Sequence, residues 1–427
     1  MVPKLRRKSG HHGVRVLRGG YLGHRRRGTI QTPGRQSLLL VMALASLGAL
    51  TLFEHRAIQA KEDREPPVPL AGLAAEDQAR FEEGRKLFEL PFAPREGLGP
   101  AFNARACAAC HHLPTIGGHG PGYRGNIRYA ENGQGPAGKL FHDRSIAGGP
   151  AESLPANALL SKRRPPTLLG LGLVEAIPEE AILARADPDD RDGDGIRGRP
   201  AMLDGHLLRF GSQSHVGSLV EFVADALRQE MGLTSPLPGF DREPGSLELP
   251  AFRQKQIPEP NLSVDAIRKI VDFVARLAPP PRDTSLIGDP QVVRGERLFG
   301  DLDCAKCHVP AFRTHSSPFT RMGDGATVAV PALLGQGIAP YSDFLLHDLG
   351  PSLNDGVALG VAKPSEYRTP PLWGLRSHKN LLLHDGRANS PEQAILYHGG
   401  EAARARHRFL NLPAEDRQAL VEFLKTL

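Results

Sequence analysis

Cysteine is scarce in this 427-residue chain: there are four, and tryptophan occurs once. So few cysteines exclude a disulfide-dense scaffold. Aromatic residues make up only 6%, while Gly 47 and Pro 38 are high. The composition predicts a loop-rich globular protein whose core is not built from its own rings alone. Long apolar runs are also short in supply. "LLLVMALASLGALTLF" (38–53) has 16 residues and falls just below the usual spanning length. Excess charge is lacking where it would count. The net charge is +6, but "PKLRRKS" and "GHRRRGT" near the N-terminus hold a large share of the basic groups. The body is close to neutral, so no basic face for nucleic acid is expected.

All four cysteines lie in two near-identical pentads, "CAACH" (107–111) and "CAKCH" (304–308). Three chemistries use C-x-x-C: a redox dithiol, half of a zinc site, and a covalent haem attachment site. Zinc would close Cys107, Cys110, Cys304 and Cys307 around one metal, across a long chain separation, and leaves His111 and His308 without a role. A dithiol needs a βαβ setting and no following histidine. The haem reading uses every residue. Each thiol adds to a vinyl group, and the histidine becomes the proximal iron ligand. Two c-type haems, at Cys107/Cys110/His111 and Cys304/Cys307/His308, are therefore expected, with porphyrin filling part of the core.

Residues 1–60 combine a basic N-terminus with the apolar run 38–53. Haem attachment to cysteine is expected on the outer side of the bacterial inner membrane, so this reads as an export segment. It is either cleaved near "AIQA" (57–60) or retained as an inner-membrane anchor, and the positive flank places the body in the periplasm. A charged, Pro-rich linker follows at 61–75. Beyond it the chain repeats its plan. "GRKLF" (84–88) precedes the first pentad and "GERLF" (295–299) the second. "DAIRKIVDFVARL" (265–277) aligns without gaps to "EDRQALVEFLKTL" (415–427), with Phe273 meeting Phe423. Both have helical apolar spacing. The expected domains are 76–281 and 285–427, each with a short helix, a pentad, an irregular middle and a closing helix. The expected fold is mainly α: two tandem cytochrome c-like domains with long irregular loops.

With the pentads placed, "YRTPPLWGLRSHKNLLLHDGRANSPEQAILYHGG" (367–400) resembles the second-domain signature of the bacterial di-haem cytochrome c peroxidases. "RRPPTLLGLGLVEAIPEEAI" (163–182), "RDGDGIRGR" (191–199) and "RFGSQSHVGSLVEFVADALRQEMG" (209–232) narrow the resemblance to the di-haem oxidoreductase branch, also called thiol oxidoreductase-like. That resemblance implies an N-terminal peroxidatic haem and a C-terminal haem that relays electrons to it. It implies His398 as the sixth ligand of the second haem, with His347 and His384 as rivals, the latter in an HDG turn read as structural. His119, in the Gly-rich loop "GGHGPG" (117–122), is the candidate displaceable ligand of the first haem. Glu221 and Glu175 are the candidate acid–base carboxylates, since a peroxidase must move a proton between the peroxide oxygens.

Asp190, Asp192, Asp194 and Gly195 match positions 1, 3, 5 and 6 of a calcium loop, with Ala201 where position 12 needs glutamate. Calcium is expected there, with Asp187 or Asp204 supplying a missing oxygen. Trp373 reads as core packing or as an electron relay between haems. The expected function is a periplasmic di-haem peroxidase that takes electrons from a small cytochrome c or cupredoxin. The alternatives are a non-catalytic electron-transfer cytochrome and a high-valent oxidase acting on a partner protein.

Overall fold

The computed structural model describes residues 65–122, 126–130, 138–146, 152–241, 261–378 and 381–427. The export segment expected within 1–60, with its apolar run 38–53, lies outside the described residues. Among the described residues ten helices follow in chain order: α1 (Ala75–Glu89), α2 (Leu171–Glu175), α3 (Glu179–Leu183), α4 (Leu219–Met231), α5 (Val264–Ala275), α6 (Pro290–Asp301), α7 (Cys304–Cys307), α8 (Pro391–Tyr397), α9 (Ala403–Leu410) and α10 (Ala414–Lys425).

The repeated sequence blocks become two equivalent helix crossings. In the first, α1 packs on α5, and a Cβ at Gly84 would lie 2.0 Å from the Lys269 carbonyl oxygen. In the second, α6 packs on α10, and a Cβ at Gly295 would lie 2.1 Å from the Ala419 carbonyl oxygen. Only glycine permits either approach. Four residues after each glycine comes the phenylalanine of the shared "LF". Phe88 packs at a tilt against Phe273 at 4.9 Å and reaches His111 at 6.5 Å. Phe299 packs edge-on against Phe423 at 5.3 Å and reaches His308 at 6.3 Å. Each crossing thus fixes one pentad histidine against a fully buried aromatic wall.

The mainly α expectation is corrected. The protein is 34% helical and 14% strand. The irregular middles fold into six small antiparallel sheets among the described residues. The largest pairs Ile127–Ala130 with Lys139–Phe141 and Leu159–Lys162. The others are hairpin-like pairs of two or three residues per strand, such as Leu346–Asp348 with Glu366–Arg368. Strands this short carry no readable two-residue alternation, which is why composition and periodicity hide them. The described residues from Glu65 onward belong to one compact unit, and both pentads open into a single cavity within it.

Candidate haem-binding site

Each pentad is held in a tight helical turn. Cys107–Ala109 forms a 3-10 turn and Cys304–Cys307 the single turn α7, so the two sulfurs of each pair lie on one side. The His111 amide donates to the Cys107 carbonyl at 3.0 Å, and the His308 amide to that of Cys304 at 2.9 Å. His111 Nδ1 faces the carbonyl oxygens of Pro166 (3.0 Å) and Gly118 (3.2 Å). His308 Nδ1 faces that of Tyr341 at 3.0 Å. A carbonyl beside Nδ1 holds the proton there and leaves the Nε2 lone pair free for a metal. Burial pushes both imidazoles down to about 4, so both are neutral ligands at neutral pH.

Zinc and dithiol chemistry fit poorly. No three of the cysteines come together as a metal cluster among the described residues. Burial pushes the thiols of Cys107 and Cys304 up to about 12 and that of Cys110 up to about 11. A reactive dithiol needs the opposite shift. A thioether carries no such cost.

The cavity wall is mostly apolar, but five arginines reach it: Arg128, Arg163, Arg164, Arg368 and Arg406. Arg163 is paired with Asp355 at 3.2 Å. Arg164 is not so served. One of its terminal nitrogens contacts His378 Nδ1 at 2.6 Å, the other has no partner, and burial lowers its pKa to about 10. Arg368 donates only to the carbonyls of Gly211 and Thr369, and burial lowers it to about 10 as well. Buried guanidiniums without carboxylates call for an anion. A flat apolar cofactor bearing carboxylates, as haem does, fits both the wall and its orphaned cations.

The two pentad histidines differ in what they face. The rings of His308 and His398 lie 6.5 Å apart, centroid to centroid, and both line the cavity. Two metal–imidazole bonds of about 2 Å plus two half-rings of about 1 Å sum to roughly 6 Å, so one metal fits between them. His398 Nδ1 faces the Ala394 carbonyl at 2.7 Å, which leaves its Nε2 free. The rivals are otherwise engaged. His347 contacts Glu401 through Nδ1 (2.7 Å) and Asp343 through Nε2 (2.8 Å). His384 stacks on Tyr367 at 4.2 Å and contacts Asp355 at 3.3 Å. No histidine faces His111 in this way among the described residues. His119 is folded back beside its own pentad by the Leu113↔His119 bridge. Its ring nitrogens face the carbonyls of Gly120 (2.9 Å) and Ser377 (3.4 Å), and it packs at a tilt behind His378 at 4.3 Å; His378 lines the cavity and His119 does not.

The expected carboxylates do not reach the cavity. Glu221 sits at the third position of α4 and closes a capping box with Ser218, accepting from its hydroxyl (2.8 Å) and amide (3.1 Å). Glu175 is buried, accepting from the Leu219 amide (2.7 Å) and pairing with Arg321 (3.1 Å). The face of α4 that lines the cavity carries Phe222, Asp225, Ala226, Gln229 and Glu230, a three-and-four spacing. Glu230 accepts from Asn103 Nδ2 at 2.9 Å through one oxygen. Burial pushes its carboxyl up to about 6. Asp225 lies 3.8 Å from His215 and is held low by that partner against the effect of burial. Glu230 escaped sequence reasoning, although the helical spacing that continues from Phe222 was the available signal.

Comparison with known families decides the assignment. The sequence profile described as "Di-haem oxidoreductase, putative peroxidase" matches residues 151–427. The chain belongs to the di-haem oxidoreductase family. No curated protein matches it. Solved structures similar to it include hydrazine synthase of Kuenenia stuttgartiensis, at 18% identity and TM-score 0.35 over 84% of this chain and 95% of that one. A MauG-like protein associated with microbial copper homeostasis is 16% identical at TM-score 0.37, over 85% and 92%.

In this di-haem oxidoreductase, Trp373 lines the cavity and is also part of the large hydrophobic core, packed where a Cβ on Gly170 would sit. The acidic loop is drawn together: Asp190, Asp192 and Asp194 bring carboxylate oxygens within 4.8 Å of one another. The Lys306 ammonium, from the second pentad, bonds Asp194 and so supplies the countercharge in this structure. Asp187 is engaged by Arg191 at 3.1 Å.

Proposed function

We propose that this protein is an exported c-type di-haem peroxidase, with peroxide reduced at the His111 haem and electrons arriving through the His308 haem. The observation that carries this reading is the asymmetry of the two histidines. His308 has His398 opposite it at the spacing of a shared metal, whereas His111 has no facing histidine among the described residues. Two protein ligands favour electron transfer; an open position favours activation of a small oxidant.

Haem, when bound, supplies the iron at which peroxide is reduced. The protein's own residues do the rest. Cys107, Cys110, Cys304 and Cys307 would hold the two groups covalently, and Arg164 and Arg368 would meet their carboxylates. Glu230, on the cavity wall with one oxygen held by Asn103, takes a proton from the peroxide and returns it to the departing oxygen. A carboxyl near 6 is poised for both halves of that task. Reductant comes from a small cytochrome c or cupredoxin in the periplasm, which the pentads and the apolar run 38–53 support together.

Mass spectrometry of the exported protein should show two haem additions, and acid–acetone should leave the colour with the protein. Extraction of either haem would overturn covalent attachment. Calcium belongs to the same reading, at Asp190, Asp192 and Asp194 in exchange for the Lys306 ammonium. A divalent ion answers three carboxylates better than one ammonium does. Calcium at a hundredfold excess over Kd should stabilise the fold by about 2.7 kcal/mol, and a chelator should reverse it. An unchanged Tm at millimolar calcium would leave Lys306 as the permanent partner.

A further inference from the structure

Helix α9 separates two environments. Ala405, Arg406 and Phe409 turn to the cavity beside His308 and His398. Arg404, His407 and Arg408, spaced at i, i+3 and i+4, form the opposite face, with Arg404 58% exposed. The stretch Ala403–Leu410 holds three arginines, one histidine and no acidic residue. Cations near its C-terminal end suit the helix dipole, but that does not explain Arg404 in the first turn.

Local carboxylates do not balance this charge. Asp303 serves both Arg408 (2.7 Å) and Arg404 (3.9 Å). Arg417 donates only to the carbonyls of Leu412 (2.7 Å) and Leu410 (3.4 Å). The three guanidiniums of Arg404, Arg408 and Arg417 thus have one acidic partner among them, Asp303. Among them lie two exposed apolar side chains, Leu396 (41%) and Leu410 (50%). Apolar contacts ringed by one sign of charge are the anatomy of a transient, steered interface. The patch also sits close to the chemistry. Asp303, its shared anchor, precedes Cys304 and itself lines the cavity. One helix, about 10 Å across, separates the basic face from the second pentad's end of that cavity.

We infer that the outer face of α9 is the docking surface for an acidic one-electron carrier protein, which gives its electron to the His308 haem. This rests on the reading of that haem as the point where electrons arrive. In the step, the carrier is oxidised by one electron and the His308 iron goes from ferric to ferrous. Unbalanced arginines around the site raise the encounter rate with an acidic partner by long-range attraction, which salt screens.

The test uses the full di-haem protein without peroxide, so its outcome does not depend on turnover. Stopped-flow spectroscopy follows reduction of the His308 haem by a net-acidic cupredoxin, by a net-basic small cytochrome c, and by ascorbate. Reduction by the acidic carrier should be the faster of the two protein reactions at low salt and should slow steeply as ionic strength rises. Arg404→Glu should slow it by about tenfold or more, and Arg417→Gln, a milder change, should slow it less. Ascorbate reduction should be unchanged in both variants. Equal rates with the two carriers, or rates indifferent to salt and to both substitutions, would overturn the docking surface. Reduction appearing first at the His111 haem would instead overturn the electron route beneath it.

Discussion

Glu230→Gln should lower peroxide turnover by about 10²–10⁴-fold, while both haem spectra should stay as in the unaltered protein. The size is that of losing a positioned general base. Glutamine keeps the shape and can still bond Asn103, so packing is preserved and only proton transfer is lost. The pH profile carries the same signature. The base works as the carboxylate, and its carboxyl is pushed up to about 6 by burial. Turnover should therefore fall as pH drops through about 6, not through the ordinary range near 4. Stability runs the other way. The native state keeps this proton to higher pH than the unfolded chain does, so between about 4 and 6 stability declines as pH rises, and the glutamine variant loses that slope.

Two controls separate this reading from the expectation set by sequence. Glu221→Gln should leave turnover intact, because the side chain caps α4 and glutamine can do the same. Glu175→Gln leaves Arg321 buried opposite a neutral group, so it should cost stability, by about 3–5 kcal/mol if the pair is wholly broken. Its folded fraction should still turn over peroxide. If Glu230→Gln is active while Glu221→Gln is not, the cavity-facing assignment is wrong.

His398→Met should raise the potential of the His308 haem, within the roughly 0.8 V that axial ligands span, and bring a thioether-to-iron band. His398→Ala should go further. With no ligand opposite His308, the second haem should turn high-spin in the ferric state and bind cyanide, as the first is expected to do already. His347→Gln should do neither, because both nitrogens of His347 contact carboxylates at 2.7 and 2.8 Å. Unchanged spectra in both His398 variants would place the sixth ligand elsewhere and remove the asymmetry on which the peroxidase reading stands.

The sequence by itself determined what depends on covalent chemistry and on close-range pattern. Two pentads that use every cysteine point to haem, as the family does, and no tertiary contact is needed to see them. The repeat was equally legible. Gly84 and Gly295, Phe88 and Phe299, Phe273 and Phe423 recur in register, and each pair does the same physical work in the structure. A family pattern marks the position of His398, whose ring lies 6.5 Å from that of His308.

Only the tertiary structure decided the rest, because those assignments turn on which way a side chain points and what meets it from far along the chain. Glu221 and Glu230 share one helix, but nine residues of rotation put one in a cap and the other on the cavity wall. His347 and His398 are both buried histidines, and only the carboxylates of Asp343 and Glu401 disqualify the first. The spacing of the acidic loop suggests a cation, but only the tertiary structure brings Lys306, 112 positions away, against Asp194. Six small sheets, in strands too short to show alternation, displaced the mainly α expectation. Hydrogen bonds and ion pairs between distant segments leave no local periodicity, so no reading along the chain could have shown them.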